Sequence, residues 1–224
     1  SLVAMVHCNN CTSDLNAWVN LFKEYQELLG IPVDMNEVYG KLYNNALNGN
    51  PDCGGLISYN YISGEPVTGL AEGRPLFVRS ANDKFNLANF MRAHLYASVG
   101  VLKIGNDILF NEEKIKVDRI TGHGGLFKTK GVGQRVLAAA INSPISVMET
   151  AGEGGAWGIA LLASYLVNNN DKLNLADYLD TVVFAGDAGV EIVPTPEDVE
   201  GFNMYIENYK AGLAIEEAAV KSKK

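Results

Sequence analysis

Basic residues are in short supply: 18 lysines and arginines face 26 aspartates and glutamates, a formal net charge of −8. That sign is wrong for a protein whose main partner is a polyphosphate backbone or an anionic membrane surface, so nucleic acid and membrane are set aside as partners. Cysteine is scarcer still. The three, Cys8, Cys11 and Cys53, are an odd number that cannot complete a disulfide framework, which fits a reducing compartment and makes the cytoplasm the expected location. No run approaches the roughly 18 consecutive apolar residues of a membrane span, and the first residues lack the basic, apolar and cleavage regions of a signal peptide. The chain opens on Ser1-Leu2 without an initiator methionine and runs straight into an apolar segment, so we expect it to begin inside a longer polypeptide. Internal repeats and low-complexity tracts are missing too, and only the terminal Lys221-Ser222-Lys223-Lys224 reads as frayed.

What is present is enough apolar material to fold. With 47% hydrophobic and 20% charged residues the chain is too apolar for disorder, and a chain of this length buries about 70% of its unfolded surface. Val3 to Cys8 reads as a short buried strand. Ser13 then caps a helix whose apolar face is Leu15, Trp18, Phe22, Tyr25 and Leu29, stopped by Gly30 and Pro32. A second helix spans about Asn36 to Leu47, and Leu56 to Ile62 reads as a strand. Ser63 to Gly73 is glycine-rich and polar, the composition of a surface loop. Phe85 to Leu102 is the long central helix, with Leu87, Met91, Leu95, Ser98 and Leu102 at helical spacing. Strands at Ile115 to Thr121 and Ile145 to Met148 flank a helix from Gln134 to Ile141, and an Ala/Gly-rich helix follows from Gly155 to Val167. After a short helix at Leu175 to Leu179, a closing helix starts at Thr195-Pro196, where Asp198 completes a Thr-x-x-Asp variant of the capping box. Alternating strands and helices predict an α/β fold with these strands in one sheet.

Few constellations could carry chemistry. Gly122-His123-Gly124-Gly125, between a strand and a helix, lets backbone approach a flat or anionic ligand, or serves only as a tight turn. It is no Rossmann fingerprint, because the third glycine position is Phe127, and no Walker A loop, because no Gly-Lys-Ser/Thr ends it. A second cluster, Gly152-Glu153-Gly154-Gly155, opens the Ala/Gly-rich helix, and the two turns could form opposite walls of one cleft. Cys8-Asn9-Asn10-Cys11 is half a zinc site with no second pair, so no metal site is assigned. His7 and His94 lie on apolar elements and read as core or partly buried residues. No catalytic triad or carboxylate pair stands out.

Taken together, Ile120-Thr121-Gly122-His123-Gly124-Gly125, the helix through Gln134, Pro144-Ile145-Ser146-Val147 and Glu153-Gly154-Gly155-Ala156-Trp157-Gly158-Ile159-Ala160 resemble the C-terminal domain of the FGGY carbohydrate kinases, the xylulokinase and ribulokinase group. The resemblance extends over nearly the whole chain. Gly55 to Pro66 is similar to the family's Gly-Glu-Arg-x-Pro loop, and Arg92-Ala93 sits where its central helix has Arg-Ala. Pro194 to Tyr209 is similar to its closing helix, and Asn10 to Asp14 with Trp18 to a ribulokinase segment. His123 interrupts the usual glycine run, and Pro66 stands where the family generally has arginine.

The resemblance implies a ribonuclease H-like, actin-like ATPase fold, a mixed sheet flanked by helices, with residues 1–224 as one C-terminal domain. It implies that Gly122, His123, Gly124, Gly125, Lys128, Thr129, Gly154 and Gly155 face ATP, and that Asn10, Asp14 and Glu65 line the cleft. The catalytic aspartate and phosphate loop would lie upstream, in an N-terminal kinase domain of the same polypeptide, with Mg2+ and a sugar such as a ketopentose completing the site. An interdomain face left open would seek a substitute partner, a homodimer among the outcomes. The competing reading is a non-catalytic actin-like domain, its glycine turns kept for the fold and its open face for docking.

Overall fold

A computed structural model describes residues 3–185 and 189–222 of the chain. Ser1, Leu2, Lys223 and Lys224 lie outside the described residues. Helix α1 (Ser13–Leu28) and helix α2 (Met35–Ala46) form where the apolar spacing places them, but Ser13, read as the cap of α1, is instead its first residue, and Thr12 at the cap position makes no side-chain cap hydrogen bond; Asp34 caps α2 by accepting the Asn36 N–H at 2.8 Å. The face of α1 is narrower than predicted. Leu15 and Val19 are buried and Trp18 and Phe22 pack beside them, but Tyr25 and Leu29 are more than half exposed.

Helix α3 (Leu87–Asp107) is the axis of the structure. Every residue from Asn89 to Val101 is buried, because α1, α2, strand β1 (Ile57–Tyr59) and helix α4 (Val132–Ile141) surround it. Leu87, assigned to its apolar stripe, sits at the exposed first turn. Helix α7 (Pro196–Ala211) starts as its cap signature demands, with Thr195 accepting the Asp198 N–H at 3.2 Å. It docks through Phe202, Tyr205, Ile206 and Tyr209, each almost fully buried and each contributing about 2 kcal/mol. Tyr96 and Phe202 stand 4.5 Å apart between ring centroids, and the Tyr59 hydroxyl donates to the Tyr209 carbonyl at 2.9 Å. A short helix α8 (Leu213–Lys221) follows.

The predicted single mixed sheet does not form. Among the described residues the strands pair as two antiparallel ribbons, β1 with β2 (Leu76–Val78) and β3 (Ile145–Val147) with β4 (Val190–Ile192). A strand holds only where a neighbour takes its backbone groups. Among the described residues nothing pairs with Val3 to Cys8, which runs as irregular backbone, with Val3 and Met5 exposed. His7 is therefore exposed rather than partly buried, and its ring bonds the Asn9 side chain at 3.0 Å. Ile115 to Thr121 pairs only at its end, where Thr121 and Ser146 form a parallel bridge. Helix α5 (Gly154–Asn168) leaves Ile159, Leu166 and Val167 largely exposed, and helix α6 (Leu175–Tyr178) is a single turn. No helix among the described residues is long and apolar enough to cross a membrane.

Candidate functional site

The parallel bridge delivers the chain into the glycine turn. Ser146 donates its N–H to the Ile120 carbonyl at 2.9 Å, Gly122 donates to Ser146 at 2.8 Å, and Gly124 then donates to the Ala151 carbonyl at 2.8 Å. The turn at residues 122–125 is thereby tied to the segment that opens α5, so the two glycine clusters of the sequence are brought together. Residues Gly125–Phe127 close a 3-10 turn, with Phe127 donating to Gly124 and Lys128 to Gly125. Beyond it Gly131 enters α4, whose first turn presses on this segment: a Cβ at Gly133 would lie 2.6 Å from the Leu126 carbonyl oxygen.

The glycines of the turn have different reasons to be glycine. Gly122 lies under the Phe127 ring, where a Cβ would come within 2.5 Å of it, and Gly124 has φ +108°, a conformation side chains rarely adopt. Both are explained by the fold. Gly125 and Gly155 are not: each is exposed, neither has a left-handed φ, and a Cβ on either would meet nothing within 4 Å. Lys128 lays its aliphatic chain along the second cluster, its Cγ and Cε 3.2 Å from where a Gly152 Cβ would be. His123 is exposed, Thr129 is half-buried, and Gly154 is the first residue of α5. The surface is a small, side-chain-poor shelf of backbone with a lysine at its edge.

Asn10, Asp14 and Glu65 occupy a different place, inside the protein. Glu65 is fully buried, which its composition-based assignment to a surface loop did not foresee. Its carboxylate accepts the Asn9 N–H at 3.0 Å, the Asn10 N–H at 3.2 Å and the Asn10 side-chain amide at 3.2 Å. Asn10 in turn accepts from the Ile62 and Ser63 N–H groups at 3.0 Å. The pair fastens residues 9–10 to residues 62–65. Asp14, at the start of α1, lies 3.7 Å from the His94 ring. Burial raises the Asp14 carboxyl, the Trp18 side chain opposing it, and pushes His94 down to about 3, so the histidine is neutral. Its Nδ1 meets the Ser58 hydroxyl at 2.9 Å.

All three cysteines are free thiols. Burial, with Glu65 and Cys11 nearby, pushes Cys8 up to about 11, which leaves it a poor metal ligand. Among the described residues no group of three or more His, Cys, Asp or Glu side chains could hold a metal ion.

Sequence reasoning missed one constellation. Asp198 accepts from the Arg92 Nη2 and the Arg135 Nε, both at 2.6 Å, and from the Thr195 hydroxyl at 2.9 Å. Burial alone would raise its carboxyl, but the hydrogen bonds from Arg135, Thr195 and Arg92 outweigh it and hold it below the usual carboxylate range. Thr195 and Asp198 were legible as a cap. The rest was signalled only by Arg92, noted for its Arg-Ala match, and by Arg135 beside Gln134 in a helix at 132–141 that is otherwise apolar.

The profile of the C-terminal domain of the FGGY family of carbohydrate kinases matches residues 1–167. No curated protein matches the sequence. Among solved structures, xylulose kinase from Rhodospirillum rubrum superposes with a TM-score of 0.63 at 18% identity, covering 93% of this chain and 38% of its own. Ligand-bound xylulose kinase from Lactobacillus acidophilus gives 0.60 at 21% identity, covering 79% and 35%. Plasmodium falciparum glycerol kinase with ADP gives 0.59 at 15%, covering 88% and 37%. The chain thus spans little more than a third of these proteins. Its fold is a helix-rich α/β arrangement with small sheets, and the chain belongs to the FGGY family of carbohydrate kinases, matching their C-terminal domain.

Proposed function

We propose that residues 1–224 are the adenosine-side domain of an ATP-dependent carbohydrate kinase of the ribonuclease H-like, actin-like type, acting in the cytoplasm on a sugar such as a ketopentose. The observation that carries this reading is the open space over Gly125 and Gly155, where the fold itself makes no demand for glycine. A flat adenosine laid on this shelf meets backbone rather than side chain, and Lys128 and Thr129 stand on the phosphate side. A solved neighbour of the same fold, the Plasmodium glycerol kinase, was obtained with ADP.

Phosphoryl transfer further requires a base for the sugar hydroxyl and Mg2+ bridging the phosphates. In our reading an N-terminal domain of the same polypeptide supplies the catalytic aspartate, the phosphate loop and most sugar contacts, and Mg2+ would enter with the nucleotide, since the described residues offer it no group of carboxylates, thiols or imidazoles. The docking-only alternative explains Gly122 and Gly124, whose glycines the fold requires, but not Gly125 or Gly155.

Gly125→Val separates the two. Its backbone tolerates a side chain, so the variant keeps its melting temperature, while ADP affinity measured by calorimetry falls tenfold or more, about 1.4 kcal/mol. Unchanged affinity in the variant, or no ADP binding by the parent chain, overturns the nucleotide reading.

A further inference from the structure

Between the buried core and the glycine shelf runs one continuous chain of contacts. Asp198 is anchored in the core through Arg92, whose side chain is only 4% exposed and also donates to the Gly49 carbonyl at 3.0 Å. From there Asp198 reaches outward to Arg135, in the first turn of α4, whose side chain is 40% exposed. One residue earlier, Gln134 donates to the Ile145 carbonyl at 3.1 Å and to the Val190 carbonyl at 2.7 Å, fixing the same turn to the β3–β4 ribbon. Gly133, next again, lies against the Leu126 carbonyl with no room for a Cβ, and Leu126 belongs to the 3-10 turn that begins at Gly125. The first turn of α4 therefore cannot slide or rotate without moving the shelf, and Asp198 and Gln134 add polar anchors there to the core packing of Val132 and Val136.

We infer that Asp198 and Arg135 are positioning residues for nucleotide binding: the α7 carboxylate, through the Arg135 guanidinium, sets the height of the α4 first turn and with it the backbone at Gly124 and Gly125. The inference rests on the nucleotide reading of that shelf. It also gives the closing helix a role beyond packing, since a residue more than seventy positions from the turn in sequence controls its geometry. An interaction restricted to orienting a binding surface changes affinity without touching the ligand.

The test uses the 224-residue chain and ADP as probe, with calorimetric affinity and melting temperature read on each variant. Asp198→Asn strands Arg92 in the core and endangers folding, so the decisive variant is Arg135→Met, which keeps the length of a half-exposed side chain and removes only its charge and donors. Val38→Ala, at a buried position of α2, supplies a comparable loss of melting temperature away from α4, and Gly125→Val reports on the shelf itself. Arg135→Met is expected to weaken ADP binding three- to tenfold while Val38→Ala leaves it unchanged. Equal loss in Val38→Ala shows a merely structural role and overturns the inference. Full affinity in Arg135→Met beside a loss in Gly125→Val also overturns it while leaving the nucleotide reading intact. Absence of ADP binding in the parent chain removes both.

Discussion

Acidification from pH 7.5 to pH 5 is expected to cost the folded chain about 2 kcal/mol through one residue, His94. Its ring is enclosed by Phe90, Trp18 and Phe77, with centroids 4.4, 5.3 and 5.7 Å away. Burial pushes it from its ordinary 6.5 down to about 3. The folded state thus refuses a proton that the unfolded chain accepts. Because the folded value is depressed, the stability is whole above about pH 6.5 and is lost progressively as pH falls toward 3. At pH 5 the unfolded chain has gained about 1.5 logarithmic units of proton binding, roughly 2 kcal/mol at 1.36 per unit. Asp14, facing the ring at 3.7 Å, works in the opposite sense. Its carboxyl is raised by burial, so acid relieves its penalty and trims the loss at the lower end of the range. Urea unfolding at pH 7.5, 6 and 5 measures the slope, and His94→Gln, which keeps a hydrogen-bonding group for Ser58 but cannot titrate, should flatten it. A variant whose stability falls with pH as steeply as the parent's would refute the assignment.

Three further outcomes follow from the packing and from the kinase reading. Arg92→Ala leaves Asp198 buried without the more deeply buried of its two arginine partners and is expected to destabilise by about 3–5 kcal/mol, read from the denaturant midpoint; a change under about 1 kcal/mol would show the network to be dispensable. Met91→Ala, at a fully buried site on the central helix, should cost about 2–5 kcal/mol for the same chain. Coupled ADP release with ketoses and polyols at high protein concentration should show no sugar-dependent turnover by the chain alone, because nucleotide contacts bind ground and transition states alike. Robust turnover would place a complete catalytic centre within these residues.

The helices were legible because their signals are local. Apolar residues recurring every three to four positions mark the helices in adjacent letters of the sequence, and Thr195 accepts the Asp198 N–H as its cap signature reads. Two strands were legible as well, Leu56 to Ile62 forming as Ile57–Tyr59 and Ile145 to Met148 as Ile145–Val147, whereas Val3 to Cys8 and Ile115 to Val117 carry strand-like residues but find no ladder partner among the described residues, because pairing is a property of two segments. Glu65 shows the same limit more sharply. Its loop is polar by composition, yet N–H groups from residues 9 and 10 satisfy its carboxylate and draw it fully inside. At the candidate site the clustering of the two glycine turns was visible in their order, whereas the distinction between Gly122 and Gly124, held by the fold, and Gly125, held by nothing, needed the Phe127 ring and the backbone angles. The pairing of Arg135 was invisible because its partner, Asp198, lies on α7.

The central claim is that adenine nucleotide rests on the shelf made by the two glycine turns, and an ADP titration followed by backbone amide shifts on the isotopically labelled chain tests it most directly. Saturable shifts concentrated at residues 122–129 and 151–158 are expected. Saturable shifts centred instead on the open groove beside α7, at Asn142, Val199 and Asn203, or no saturable shifts at all, would contradict it.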